Sequence, residues 1–221
     1  MNIPENILKH SLQNVYFLTG TALAGKTTMV RELSAKHGFI PFYDNWHEER
    51  FEVFRSICDE TYQPKSIKKK ETTDWEAFFS RSVEAFMADR EGRSEYEEYV
   101  EFLLVELIKI AQNNKVVTDI CMPAKLLAEI SDYSRIACML AAPELVTCEN
   151  YGKREDHREF LECILSLKEP EQKIAVQDEL FRIGVQRVYG EVEQYGWFRV
   201  IRTEESTVEK TLKVLEEHFG L

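Results

Sequence analysis

Short apolar runs alternate along the chain with longer stretches in which apolar residues recur three and four positions apart. The runs cover residues 15–18, 39–43, 115–120, 135–141 and 197–201 and read as five strands. The intervening stretches read as helices, and that alternation predicts a parallel sheet covered on both faces. One helix should run from residue 26 to about residue 36 and stop at Gly38. Between strands two and three lies a long segment with two capping boxes, Thr73 with Glu76 and Ser94 with Glu97. The first opens a helix carrying Trp75, Phe79, Val83 and Phe86 on one face. The second opens a helix striped with Tyr96, Val100, Leu103, Leu107 and Ile108, expected to lie on the sheet. The first helix is expected in an extra lobe, reached through the polar stretch "TYQPKSIKKKE", whose lysine run reads as a solvated loop.

Composition narrows the picture. A chain of 221 residues, 44% apolar, suits a single α/β domain over residues 1–221 with insertions. Its net charge of −11 argues against nucleic acid as a partner, because a phosphate backbone needs a basic footprint. No apolar run could span a bilayer and no apolar signal region opens the chain, so a cytoplasmic protein with no membrane partner is expected. The five cysteines form no C-x-x-C pair. Cys121 and Cys138 lie in or beside strand-like runs and read as buried thiols, in keeping with a reducing compartment.

The strongest chemical signal follows the first strand. In "VYFLTGTALAGKTTMVREL" the positions Gly20, Gly25, Lys26 and Thr27 complete a G-x-x-x-x-G-K-[ST] loop between a strand and a helix. Glycines let the loop curl its N–H groups around an anion, and the helix end adds its positive dipole. The expected nucleotide-binding residues are therefore Gly20, Thr21, Ala22, Leu23, Ala24, Gly25, Lys26, Thr27 and Thr28. Lys26 would reach the β- and γ-phosphates of ATP, and Thr27 would bind Mg²⁺. Asp119 closes "VVTD" and is expected at the same metal, with a helix N-cap as the competing reading because Pro123 soon follows. Asp44 closes the second strand and is a candidate base, a second metal contact or the cap of a helix starting near Trp46. In "ENYGKREDHREFLECI", Arg154 and Arg158 stand four apart, which on a helix gives one shared face for a transferred phosphoryl group; a surface helix laced with salt bridges is the alternative. Charge, Gly152 and few apolar residues before Phe160 make this segment a mobile lid by expectation. Arg182 and Arg187 are lesser candidates for the same task.

With the loop, the strand-ending Asp44 and Asp119 and a late arginine segment in that order, the chain resembles the nucleoside and nucleotide kinase-like phosphotransferases, the group of adenylate and shikimate kinases. "VVTDICMP" is similar to the strand-ending aspartate motif of adenylate kinases, without its usual glycine and arginine. "FYDNW" is similar to the D-x-D strand end of shikimate kinases, with Trp46 in place of the second aspartate. "LAAPELV" resembles their fourth-strand exit, while their G-G-G after strand three is missing. The resemblance implies a P-loop fold with a five-stranded parallel sheet in the order 2-3-1-4-5. It implies a helical acceptor-side insertion after strand two, here 45–93, and a lid after strand four, here 149–187. It also implies that the loop after the last strand, beginning at Arg202, cradles adenine. The expected activity is transfer of the γ-phosphate of Mg-ATP to a small-molecule acceptor, with Trp46 walling its pocket. A nucleotide switch or plain ATPase is the alternative; the guanine-reading N-K-x-D of GTPases is lacking, since Val116 and Val117 follow Asn114 and Lys115.

Overall fold

A computed structural model describes residues 4–43, 74–91 and 94–221. The strands are β1 (Val15–Gly20), β2 (Ile40–Phe42), β3 (Val116–Thr118), β4 (Ile136–Ala141) and β5 (Phe198–Arg202). They form one sheet in the order β2-β3-β1-β4-β5, and every neighbouring pair is parallel. That is the expected 2-3-1-4-5 sheet. β1 runs two residues past its apolar run, and the other strands are trimmed or shifted by a residue or two from theirs.

The helices among the described residues are α1 (Glu5–Ser11), α2 (Lys26–His37), α3 (Trp75–Phe79), α4 (Val83–Glu91), α5 (Ser94–Ala111), α6 (Ala124–Ile130), α7 (Cys148–Gly152), α8 (Arg158–Leu165), α9 (Pro170–Tyr195) and α10 (Val208–Phe219). Alternate residues of β1 enter opposite cores. Val15 and Phe17 meet Leu103, Leu104 and Leu107 of α5, with Leu127 and Ile130 of α6. Tyr16 and Leu18 meet Met29, Val30 and Leu33 of α2, with Leu215 and Phe219 of α10. Because both faces of the strand are covered, it has no polar side, and its sequence reads as a continuous apolar run. Among the described residues no helix is long and apolar enough to cross a membrane.

Three expectations change. The stretch opening near Thr73 is not one helix but two. Asp74 is the cap, accepting from the Ala77 N–H at 3.0 Å, and α3 ends at Ser80. The Ser82 hydroxyl then accepts from the Ala85 N–H and starts α4. Serines that bond nearby backbone offer the chain an exit from a helix, which breaks the apolar stripe between Phe79 and Val83. The limit at residue 187 falls inside α9, whose Val185 and Val192 are buried in the sheet's two cores. Cys121 is exposed rather than buried, because β3 has already ended at Thr118.

The central strand ends against its neighbour. Gly20 has φ 128°, and a Cβ built there would stand 1.8 Å from the Met139 carbonyl oxygen of β4. Only glycine fits that backbone and that approach. Gly20→Ala is expected to cost about 3 kcal/mol, the upper end for a forced overpacking, and to lower the melting temperature by about 10 °C in calorimetry. Thiol chemistry gives a second check. Burial pushes the Cys138 thiol up to about 12, and burial with the Asp178 carboxylate pushes Cys148 up to about 11. At pH 8 both therefore hold their protons and resist alkylation. Peptide mapping after brief iodoacetamide treatment should find Cys121 modified well ahead of Cys138 and Cys148; comparable rates at all three would contradict this core.

Candidate active site

The loop after β1 begins as an extension of the sheet. The Thr21 N–H donates to the Met139 carbonyl at 3.1 Å, and the Thr21 hydroxyl accepts from the Ala141 N–H at 2.7 Å. Beyond Thr21 the chain turns through two left-handed residues, Leu23 at φ 59° and Gly25 at φ 86°. Gly25 is also the first flank of α2, and no side chain caps that helix end. Its leading N–H groups and dipole are thus available to an anion. The Lys26 ammonium lies back across the loop, donating to the Thr21 carbonyl at 2.6 Å.

Thr27 and Asp119 meet at the sheet's carboxyl edge. The Thr27 hydroxyl donates to an Asp119 carboxylate oxygen at 2.5 Å, and Asp119 is only 2% exposed. Parallel pairing of β1 with β3 sets α2 and the end of β3 side by side and brings these residues together across 92 positions of sequence. Asp119 is not a helix cap, since α6 begins after Pro123 with no side-chain cap. A hydroxyl and a carboxylate beside a phosphate loop are hard oxygen donors, the set Mg²⁺ favours.

A cleft of about 570 Å³ opens over the loop. Its floor is the run from Ala22 to Thr28, and its walls include Arg31, Leu145, Asn150, Lys153, Arg154, Arg202 and Glu204. The chain as a whole carries −11, yet among the described residues this cleft collects Lys26, Arg31, Lys153, Arg154 and Arg202 against one lining carboxylate, Glu204. Arg202, at the end of β5, donates from a guanidinium nitrogen to the Leu23 carbonyl and braces the loop where its backbone is left-handed. Asn150 is pinned by its amide to the Leu145 carbonyl at 3.1 Å and accepts from Lys153.

The two lid arginines separate. Arg154 has extended backbone, φ −70° and ψ 139°, and precedes a 3₁₀ turn, whereas Arg158 is the first residue of α8. An extended residue breaks the helical spacing, so the two do not share a helix face. Arg154 lines the cleft; Arg158 is exposed and does not. Arg182 pairs with Glu179 and Arg187 with Glu191 on the surface of α9, and neither lines the cleft. Asp44 and Trp46 lie outside the described residues.

Arg31 was missed in the sequence although its spacing was available: it stands four positions after Thr27 on α2, one turn along the same face. Leu145 and Asn150 lie in stretches the sequence singled out, "LAAPELV" and "ENYGKREDHREFLECI", but only the folded chain brings these two side chains to the cleft.

Solved structures share this fold. A shikimate kinase from Bacteroides thetaiotaomicron superposes with a TM-score of 0.51 at 18% identity, over 94% of this chain and 98% of that one. A shikimate kinase from Acinetobacter baumannii in complex with shikimate gives 0.49 at 15% identity, over 98% of each chain. No protein-family model matches the sequence, and no curated protein matches it. At such identities the likeness is one of fold: this chain has the P-loop architecture of kinase-like proteins, as its motif order implies.

Proposed function

We propose that the chain is an ATP-dependent phosphotransferase that passes the γ-phosphoryl group of Mg-ATP to a hydroxyl or phosphate oxygen of a small molecule. The observation that carries this reading is the bond from the exposed Thr27 hydroxyl to the buried Asp119 carboxylate, beside Lys26 at the mouth of the phosphate loop. Mg-ATP would supply the transferable phosphoryl group and the metal's charge. The N–H groups of residues 22–28 and the end of α2 hold phosphates. Thr27 and Asp119 hold the metal. Lys26 exchanges its carbonyl partners for phosphate oxygens. Arg154, carried over the cleft after α7, offsets the charge that phosphoryl transfer concentrates on the moving group, and Lys153 and Arg31 add to that field. Arg158 is the alternative in that role. Arg202 braces the loop and flanks the nucleotide's outer end.

The acceptor side rests on the sequence. Asp44 follows Tyr43 at the exit of β2, where open parallel sheets place their ligands, and is proposed to orient or deprotonate the acceptor, with Trp46 beside it.

Two sets of measurements test this. Lys26→Ala removes a charge-assisted contact and should weaken Mg-ATP binding in titration calorimetry by about tenfold or more with little change in melting. Asp119→Asn keeps the size and an acceptor for Thr27 but loses the charge, so it should raise the magnesium requirement while the protein melts near wild type. Equal Mg-ATP binding by wild type and Lys26→Ala would sink the nucleotide site.

The second set needs an acceptor, to be found by screening pooled metabolites for ATP-dependent phosphorylation. Asp44→Asn should leave Mg-ATP affinity within a few-fold and slow acceptor phosphorylation by roughly 10²-fold, the scale of a lost general base. A nucleotide switch or plain ATPase would instead yield no acceptor and no effect of Asp44→Asn on hydrolysis.

A further inference from the structure

A third, aromatic cluster lies beside the sheet's two cores, and it joins two segments far apart in sequence. Phe79 of α3 is 3% exposed and is buried with Cys148 of α7 and Ile164 of α8, against Phe160 and Phe181. Phe79 meets Phe160 edge-on at 5.8 Å, and Tyr151 meets Phe160 at 5.6 Å and Phe181 at 5.2 Å. Edge-on rings are a favourable aromatic geometry, so this is a packed contact between α3 and the segment after β4.

A polar latch sits at its rim. Glu76 of α3 reaches the start of α9: one carboxylate oxygen is 2.8 Å from the Lys173 ammonium, and the other accepts from the Lys168 N–H at 3.1 Å. Lys173 is only 5% exposed and also donates to the Lys168 carbonyl at 2.5 Å. The Lys173 and Lys168 bonds hold the Glu76 carboxyl below the usual carboxylate range. An ammonium this deep needs an anionic partner, and Glu76 is that partner.

The same unit carries cleft cations. Lys153 and Arg154 follow directly on α7. Gly152, the last residue of α7, lies so close to α8 that a Cβ there would stand 2.3 Å from the Leu161 Cβ. At the other end of α7 the Cys148 N–H donates to Asp178 of α9 at 2.6 Å. The cations therefore ride on a hairpin whose outer side is packed against α3.

We propose that α3, α7 and α8 form one cap, latched by Glu76 to Lys173 and Lys168, through which α3 positions Lys153 and Arg154 over the phosphate loop. Glu76 is a positioning residue; it does not line the cleft. The purpose of the cap rests on the phosphotransferase reading, in which α3 belongs to the acceptor side. An occupant there and the cations over the loop are then set together, which favours transfer to the acceptor over loss to water.

Hydrogen exchange on the whole chain tests the cap without any ligand. Glu76→Gln should speed exchange about tenfold in residues 148–165 as well as in 75–79, while β1 and β4 keep wild-type rates. Acceleration confined to 75–79 overturns the proposal. Should Glu76→Gln also loosen the sheet, Glu76→Asp, which keeps the charge, is read in the same way, with a smaller effect expected. A second arm uses a non-hydrolysable ATP analogue with Mg²⁺. In wild type it should slow exchange in 75–79 together with 150–158, although 75–79 lies away from the cleft. In Glu76→Gln the effect on 75–79 should vanish while analogue affinity stays within about threefold, which a merely structural role would not produce. Slowing of 150–158 alone in wild type overturns the cap. Failure of the analogue to bind at all would refute the nucleotide site instead, and the ligand-free arm would still decide the latch.

Discussion

The site depends on one close approach: the backbone of Gly20 against the Met139 carbonyl at the end of the central strand. A side chain there would push β1 and β4 apart where the phosphate loop leaves the sheet. Without one, the ladder runs on through the Thr21 N–H and hydroxyl, which bond Met139 and Ala141. The loop therefore starts from a fixed point and a fixed direction. Everything that follows inherits that direction: the left-handed turns at Leu23 and Gly25, the uncapped start of α2, and Thr27 on its first turn. Asp119 is fixed independently by the pairing of β3 with β1, so the short Thr27–Asp119 bond is the meeting of two rigid elements. Sites built on such elements hold their geometry without help from the ligand.

Charge is arranged against the chain's own average. A protein of net charge −11 repels polyanions at long range, and its cleft reverses the sign locally with five lining cations. They come from three places in sequence: α2, the turn after α7 and the end of β5. A cleft with low-dielectric walls focuses such a field inward. On the phosphotransferase reading, that local reversal is what a phosphate-bearing small ligand requires in a chain whose average charge would repel it.

Legibility in the sequence followed the range of the physics involved. The strands and the phosphate loop were legible because both rest on local signals, apolar runs and glycines where φ must be positive, whereas the order of the strands came only through the family resemblance that the motifs carry. Arg31 was equally local and was overlooked, although its four-residue offset from Thr27 placed it. The break at Ser80–Ser82 was harder, because serine–backbone bonds compete with helix at only a small energetic margin. The paired arginines misled for a related reason. A four-residue spacing implies a shared face only if the backbone between is helical, and at Arg154 it is extended. Least legible was the contact between α3 and α8. Phe79 and Phe160 each sit on an apolar stripe, and nothing in either stripe names its partner.

That contact explains why the cap needs polar atoms as well as rings. Aromatic side chains packed edge-on tolerate shifts in register, because a ring can slide along its neighbour at little cost. Helix α3 has five residues, too few to fix its own orientation by packing alone. The Glu76 carboxylate removes that freedom by binding an ammonium and an N–H at defined positions around the α8–α9 turn. An ion pair with one buried partner adds little net stability, because desolvation of the Lys173 ammonium offsets much of the attraction, but wrong arrangements leave that ammonium unpaired and are costly. In this cap the rings supply the adhesion and the ion pair supplies the register. On the phosphotransferase reading, register matters more than adhesion for the cleft cations, since a displacement of about 1 Å can cost 10²-fold in rate.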